Sequence, residues 1–337
     1  MTVPLSIGLI FRVVEGRAIN IKQLRYFVKV AETGNITRAS ERLNVAQTAL
    51  GQQIRQLEES LGVQLFVRHS RGISLTESGE VLYRHALSIL AAMEEARREV
   101  MARSESKREA INLGITPSIQ ALIGPDLLET APLKIPRISL RIVEELSFVL
   151  VDALLRRELD LALAYELDHR KELVTTSVAE EELLFVASAK TQPQRDFITF
   201  KEAARTDLAL VSERDIVWRL MHDEAARLGI DMNVAFQVQS MPAIKALVAR
   251  GAATSVVPYG LMAEEVNQGL VVACPIREPS IKRTLYLTNA AGRSAFVNEK
   301  ALMGFLGSMV GLLVERMGPY GALIGKRAAF DTPPGNG

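Results

Sequence analysis

The residues of this chain best suited to recognition chemistry lie within a short stretch. Gln47, Thr48, Gly51, Gln52 and Arg55 share one side of a helical pattern, and Arg68, His69 and Arg71 follow beside Gly72. Near the start of a helix laid in a DNA major groove, such side chains meet base edges: glutamine pairs bidentately with adenine, arginine with guanine, and a threonine methyl touches thymine. Each good pair contributes about 1–3 kcal/mol of base discrimination. The competing reading is a solvated polar face in a small helical bundle. Local charge favours DNA. Between Asn20 and His85 there are nine Lys and Arg against six Glu, an excess of three positive charges, whereas the whole chain carries only +1 (Lys+Arg 40, Asp+Glu 39). A dimer doubles that excess on one surface, enough for salt-dependent phosphate contacts.

Other chemistries find little support. A single cysteine, Cys274, rules out an intramolecular disulfide and a CxxC metal cage, and points to a reducing, cytoplasmic compartment. His69, His85, His169 and His222 are scattered, with no HExxH or HxH arrangement. Ser308 lies in GSMVG rather than GxSxG, and Gly325-Lys326-Arg327 lacks the spacing of a phosphate-binding loop. Asn35-Ile36-Thr37 is formally a glycosylation sequon but reads as helix capping. No catalytic constellation, metal site or cofactor is expected. The apolar stretch Val3 to Phe11 has no basic lead and no cleavage pattern, and the run Ala301 to Val314 is broken by three glycines, so no membrane partner is expected. A content of 48% hydrophobic and 23% charged residues excludes disorder and supplies an ordinary core.

The positioning elements follow from periodicity. Leu24, Phe27, Val28 and Ala31 recur at helical spacing from Ile21 until Gly34 and Asn35. Thr37 reads as the N-cap of a short second helix with Ala39 and Leu43 inward, stopping at Asn44. A third helix runs from about Ala46 to Ser60 with Leu50, Ile54, Leu57 and Leu61 on one stripe, completing a helix-turn-helix. VQLFVRHSRGISLT then predicts a hairpin, the wing. From Glu77 to about Lys107 one long helix places Leu82, Ala86, Ile89, Met93, Ala96 and Val100 at alternating steps of four and three. That 3.5-residue spacing predicts a coiled-coil dimer seam.

Beyond Glu109 the texture is α/β. Strands are expected at Ile111 to Ile115, Ile138 to Val143, Leu161 to Ala164, Leu183 to Ala187, Leu208 to Val211, Val234 to Val238 and Thr254 to Val257. Helices are expected at Ile216 to Leu228 and Pro242 to Arg250. Two small Rossmann-like lobes suit this length, with a crossover in the Thr191 to Thr199 region. The tail from Gly318 reads as poorly ordered.

The run QLRYFVKVAETGNITRASERLNVAQTALGQQIRQLEESLGVQLFVRHSRGISLTESGEVLYRHA resembles the DNA-binding domain of the LysR-type transcriptional regulators. VEELSFVLVDALLRRELDLALAY resembles their first regulatory subdomain, and LVARGAATSVVPYG the segment near their second crossover. The resemblance covers about Ile21 to Val314, and YFVKV with VAQTALGQQ is similar to the nitrogen-assimilation-control branch. It implies an α+β multidomain fold: an N-terminal winged helix-turn-helix (21–78), a linker helix pairing as a coiled-coil dimer (79–107), and a C-terminal α/β, periplasmic-binding-protein-like effector domain of two Rossmann-like subdomains (110–316). Residues 1–20 and 317–337 are left as an extension and a flexible tail.

By position, the resemblance makes Gln47, Thr48, Gly51 and Gln52 base-facing, Arg68 and Arg71 wing contacts, and Thr37 a phosphate contact. The family usually has proline at Thr48 and serine at Gly51. In the effector cleft it implies Thr116, Pro117, Ser118, Ser147, Ser212, Met241 and Pro258; plain N-capping is the alternative for each hydroxyl. Glu145 and Arg157 replace usual glycines, and Glu145 near the cleft mouth would disfavour a carboxylate. Implied partners are double-stranded operator DNA read as an interrupted dyad, a small-molecule effector of organic-acid type, further copies of the chain in a dimer or tetramer, and RNA polymerase. Two rival readings remain: a small-molecule sensor or transport-type protein without DNA binding, and an α/β enzyme.

Overall fold

The computed structural model describes residues 19–69, 72–102, 108–165 and 170–324. The chain divides into two compact units at Arg97. The first contains α1 (Ile21–Thr33), α2 (Ile36–Leu43), α3 (Gln47–Leu61), β1 (Phe66–His69), β2 (Gly72–Leu75) and most of α4 (Glu77–Ala102). Of the expected N-terminal extension, residues 1–18 lie outside the described residues. Asn20 caps the start of α1, accepting from the Gln23 amide at 2.8 Å. Gly34, in the left-handed conformation, ends that helix. The next helix begins so soon afterwards that its cap falls on Asn35, which accepts from the Arg38 amide at 3.0 Å. Thr37 is therefore not the N-cap expected of it; it sits exposed in the first turn of α2. Asn44, with φ of 51°, turns the chain into α3.

Phe27, Leu50, Leu57 and Ala86 are fully buried in one core, against which Leu82, Tyr83, Leu87 and Leu90 of α4 pack. This corrects the expected seam. Ala86 is 0% exposed within its own chain and Leu82 contributes to the same core, so a seam through both is not available to a partner. The first turns of α4 close the helix-turn-helix core instead. Ile89 and Val100 are 48% and 73% exposed, Ala96 is exposed and Met93 is half-buried. The helix is described to Ala102; residues 103–107 lie outside the described residues.

The second unit contains β3 (Glu109–Ile115), α5 (Pro117–Lys134), β4 (Ile138–Glu144), α6 (Ser147–Leu155), β5 (Leu161–Tyr165), β6 (Leu173–Ser188), β7 (Ile198–Thr199), α7 (Phe200–Ala204), β8 (Leu208–Leu210), α8 (Ile216–Leu228), β9 (Val234–Gln237), α9 (Met241–Ala249), β10 (Ser255–Pro258), α10 (Tyr259–Asn267), β11 (Val271–Arg277), β12 (Lys282–Ala290), α11 (Glu299–Met317) and β13 (Gly321–Leu323). The strand order is β4-β3-β5-β12-β6-β11-β7, with β10 and β13 also on β6. β6 serves two sheets: Leu173 to Glu182 pair with β12, and Leu183 to Ser188 with β10 or β11. The first crossover is thus β6 itself, not the Thr191 to Thr199 region. Its polar half, TTSVAEEE, hid the strand from a hydrophobic reading. The second crossing lies between β11 and β12, well after the LVARGAATSVVPYG segment, which forms α9, β10 and the start of α10.

Ile111, Leu113 and Ile115 of β3 are almost wholly buried with Ile119, Ile123 and Leu127 of α5. The segment Glu299–Tyr320 is apolar and long enough to cross a bilayer. Leu302, Leu306, Val310 and Leu313 nevertheless place α11 in the core. The tail is more ordered than expected. A 3₁₀ turn at Gly318–Tyr320 leads into β13, where Gly321, Ala322 and Leu323 pair with Glu181, Glu180 and Ala179. Residues 325–337 lie outside the described residues.

Candidate DNA-contact surface and ligand cleft

In α3 the inward stripe Leu50, Ile54 and Leu57 is buried, which fixes the opposite face outward. Gln47, Thr48, Gln52 and Arg55 are exposed there. Gly51 has no atom within 4 Å of where a Cβ would sit, so it leaves a gap in that face. The Ala46 N-cap makes no side-chain hydrogen bond, leaving the first amides of α3 free to meet an anion. Thr37, Arg38 and Arg42 are exposed on α2. Arg68 lies on β1, paired in register with Ile73, whereas Arg71 lies outside the described residues.

A residue that sequence reasoning missed ties the wing to α3. Glu58 is 8% exposed, and its Oε1 accepts from the amides of Leu65 at 2.8 Å and Phe66 at 3.3 Å. Its signal was position, since it lies four residues after the inward Ile54 and so on the same stripe. The other wing strand is held where the Ile73 amide donates to the Gly34 carbonyl at 2.9 Å. Gly72, with φ of 138°, lies so close that a Cβ would sit 2.7 Å from the same oxygen.

In the second unit, Thr116, Pro117, Ser118, Ser147, Met241 and Pro258 all line one cavity. Ser212 does not, although its neighbour Val211 does, and the exposed Glu145 is not in the wall either. Helices α5, α6 and α10 start at this wall without a side-chain cap. The hydroxyls are spent elsewhere. Ser147 Oγ accepts from the Tyr165 amide at 3.1 Å, and Ser118 Oγ accepts from Arg283 Nη2 at 3.0 Å while lying 3.3 Å from Thr116 Oγ1. Capping, the alternative role for these three, is therefore not what they do. By contrast α8 is capped by Asp215, whose Oδ1 accepts from the Val217 amide at 2.9 Å, and α9 by Ser240. Arg157, where the family has glycine, adopts φ of 58° and donates to the Ala291 carbonyl at 2.9 Å.

The charged groups of the cleft were not among the expected residues. Arg283 of β12 and Glu181 of β6 form a cross-strand ion pair at 2.8 Å, with side chains 6% and 0% exposed. The guanidinium lies 3.4 Å from the centroid of the Tyr165 ring. Asp215 is also buried, and burial pushes its carboxyl above the ordinary 3.8, a rise that its bonds to backbone amides oppose. Leu210, Val211, Ile244 and Val257 make much of the remaining wall apolar. α10 closes against the start of α5 at Gly260, where a Cβ would sit 2.7 Å from the Ser118 carbonyl.

Comparison with known proteins agrees with this geometry. Residues 21–80 match the bacterial regulatory helix-turn-helix proteins of the lysR family, and residues 104–309 match the LysR substrate binding domain. The HTH-type transcriptional regulator BbuR of Bordetella bronchiseptica is 29% identical over 302 residues, covering 88% of this chain and 91% of the relative. The nitrogen assimilation regulatory protein nac of Escherichia coli (strain K12) is 31% identical over 241 residues, covering 71% and 78%. A full-length OxyR variant from Pseudomonas aeruginosa shares the fold with a TM-score of 0.60 at 21% identity, over 88% of this chain and 95% of that one. The domain matches and the relatives together place the chain in the LysR family of DNA-binding transcriptional regulators, with an N-terminal helix-turn-helix domain and a C-terminal effector-binding domain.

Proposed function

We propose that the chain reads an interrupted-dyad operator through α3 and the wing, and answers to a small molecule bound in the cleft of the second unit. The division of labour is 21–78 for DNA, 79–107 for self-association and 110–316 for the effector. The observation that carries this reading is the exposed Gln47, Thr48, Gln52 and Arg55 face at the uncapped start of α3, on the basic part of the chain. Self-association as a dimer or dimer of dimers uses the exposed positions of α4 from Ile89 onward. We read the protein as a cytoplasmic regulator rather than an enzyme, in keeping with the regulators it resembles.

The test is a gel shift with the DNA upstream of its own gene. Binding should weaken steeply as salt rises, because each neutralised phosphate releases counterions. Protection of two half-sites is expected. Salt-insensitive or absent binding would instead favour a small-molecule sensor that dimerises without touching DNA.

A further inference from the structure

We propose that Gly51 gives α3 a hollow that receives the 5-methyl group of a thymine, so that each operator half-site carries a thymine opposite Gly51. This rests on reading α3 as the base-reading helix, and adds to it a residue that determines specificity by having no side chain.

The first observation is that this glycine serves nothing inside its own chain. It lies in the interior of α3, where glycine is the poorest helix former after proline. Its φ is not among the positive values that call for glycine, unlike those of Gly34, Gly62 and Gly72. Packing does not call for it either. No atom of the described residues comes within 4 Å of the place of a Cβ, whereas at the helical Gly79 of the same unit a Cβ would collide with the Leu65 carbonyl. What needs the missing carbon therefore lies outside the chain.

The second observation is what the hollow can hold. On the helix surface the neighbours of Gly51 are Gln47 and Thr48 one turn before it and Arg55 one turn after, all exposed and all on the face assigned to DNA. The amide and carbonyl of Gly51 are taken up by the α3 ladder, so the residue offers a partner neither donor nor acceptor. A hollow of that kind suits an apolar group. The edges that base pairs show in the major groove carry donors, acceptors and one apolar projection, the thymine methyl. Gln47, Gln52 and Arg55 remain to read neighbouring base pairs by hydrogen bonds, while this one is read by shape.

The test sets one carbon on the protein against one on the DNA. The wild-type full chain selects its preferred duplex from a random pool, and each thymine of that duplex is replaced in turn, in both half-sites, by deoxyuracil, which lacks only the methyl. Gel shifts then compare the wild type with Gly51→Ala. One such replacement should weaken wild-type binding about tenfold. Gly51→Ala should bind the thymine duplex more weakly than the wild type by a similar factor, and should bind the deoxyuracil duplex at least as well as the thymine one, because its own Cβ fills the hollow. Its melting temperature should be no lower than the wild type's, since alanine favours the helix. A thymine dependence that is the same in both proteins, a selected duplex with no thymine that matters, equal or tighter binding by the variant, equal weakening on selected and unrelated DNA, or a lower melting temperature overturns the proposal. Where the wild type still prefers its selected duplex to unrelated DNA, only the role of Gly51 fails; where it has no preference, base reading by α3 fails with it.

Discussion

The two units place their polar chemistry on opposite sides of their cores. In the first, the buried polar residues among those described are Gln23, Ser40 and Glu58, and Thr37, Gln47, Thr48, Gln52 and Arg55 are at the surface. In the second, Thr116, Ser118, Ser147, Glu181, Asp215, Ser255 and Arg283 are all buried. The difference follows from the size of what each must bind. A duplex is met from outside, so its contacts cost no burial before binding and depend on a rigid helix and a net charge. A small molecule is wrapped, so its polar partners must be held inside apolar surroundings. Where the first unit buries a charge, Glu58, it is a brace for the wing.

That contrast makes the second unit the more sensitive to a lost charge. Arg283→Met strands Glu181 in the interior and should cost the second unit about 3–5 kcal/mol in chemical unfolding. Adding Glu181→Leu should recover most of the loss, because a matched apolar pair no longer carries a lone charge. A single variant as stable as the wild type would mean that the pair is solvated. In the first unit, Glu58→Ala removes the acceptor of two amides and should cost about 1–3 kcal/mol. DNA affinity should fall with it, and ligand binding by the second unit should not change; a change in both would break the separation between units.

The smallest effect is one of pH. Burial raises the Asp215 pKa above its ordinary 3.8, so the folded chain holds that proton more tightly than the unfolded chain does. The resulting stabilisation is complete below pH 3.8 and is lost as pH rises through the folded value. Across that window the wild type should therefore lose stability relative to Asp215→Asn. Parallel urea-unfolding curves for the two would show that Asp215 titrates as if exposed.

The same contrast decides what could be read from the sequence. α1, α3, the hairpin and the Gln47 to Arg55 face were legible because local periodicity separates inward Leu50, Ile54 and Leu57 from outward polar residues. The α4 seam was only half legible. Steps of four and three do not say which core they serve, and Leu82 and Ala86 serve their own. The cleft hydroxyls Thr116, Ser118 and Ser147 were expected by resemblance, whereas Arg283 and Glu181 were not. In a strand, a charged residue beside Lys282, or within the run Glu180-Glu181-Glu182, reads as solvent-facing. Only the register that sets Arg283 opposite Glu181 shows that both are buried. Asp215 was not expected either: it caps α8, and only the fold places it in the cleft wall.

The most direct test of base reading by α3 is a footprint of Gln47→Ala with Gln52→Ala on the operator, set beside the wild type. The double variant should keep its mass in light scattering and its response to ligand. It should retain salt-dependent binding but lose the difference between operator and unrelated DNA, by about 1–3 kcal/mol for each glutamine–adenine pair. A footprint with unchanged boundaries and unchanged preference would contradict the assignment of α3 as the element that reads sequence.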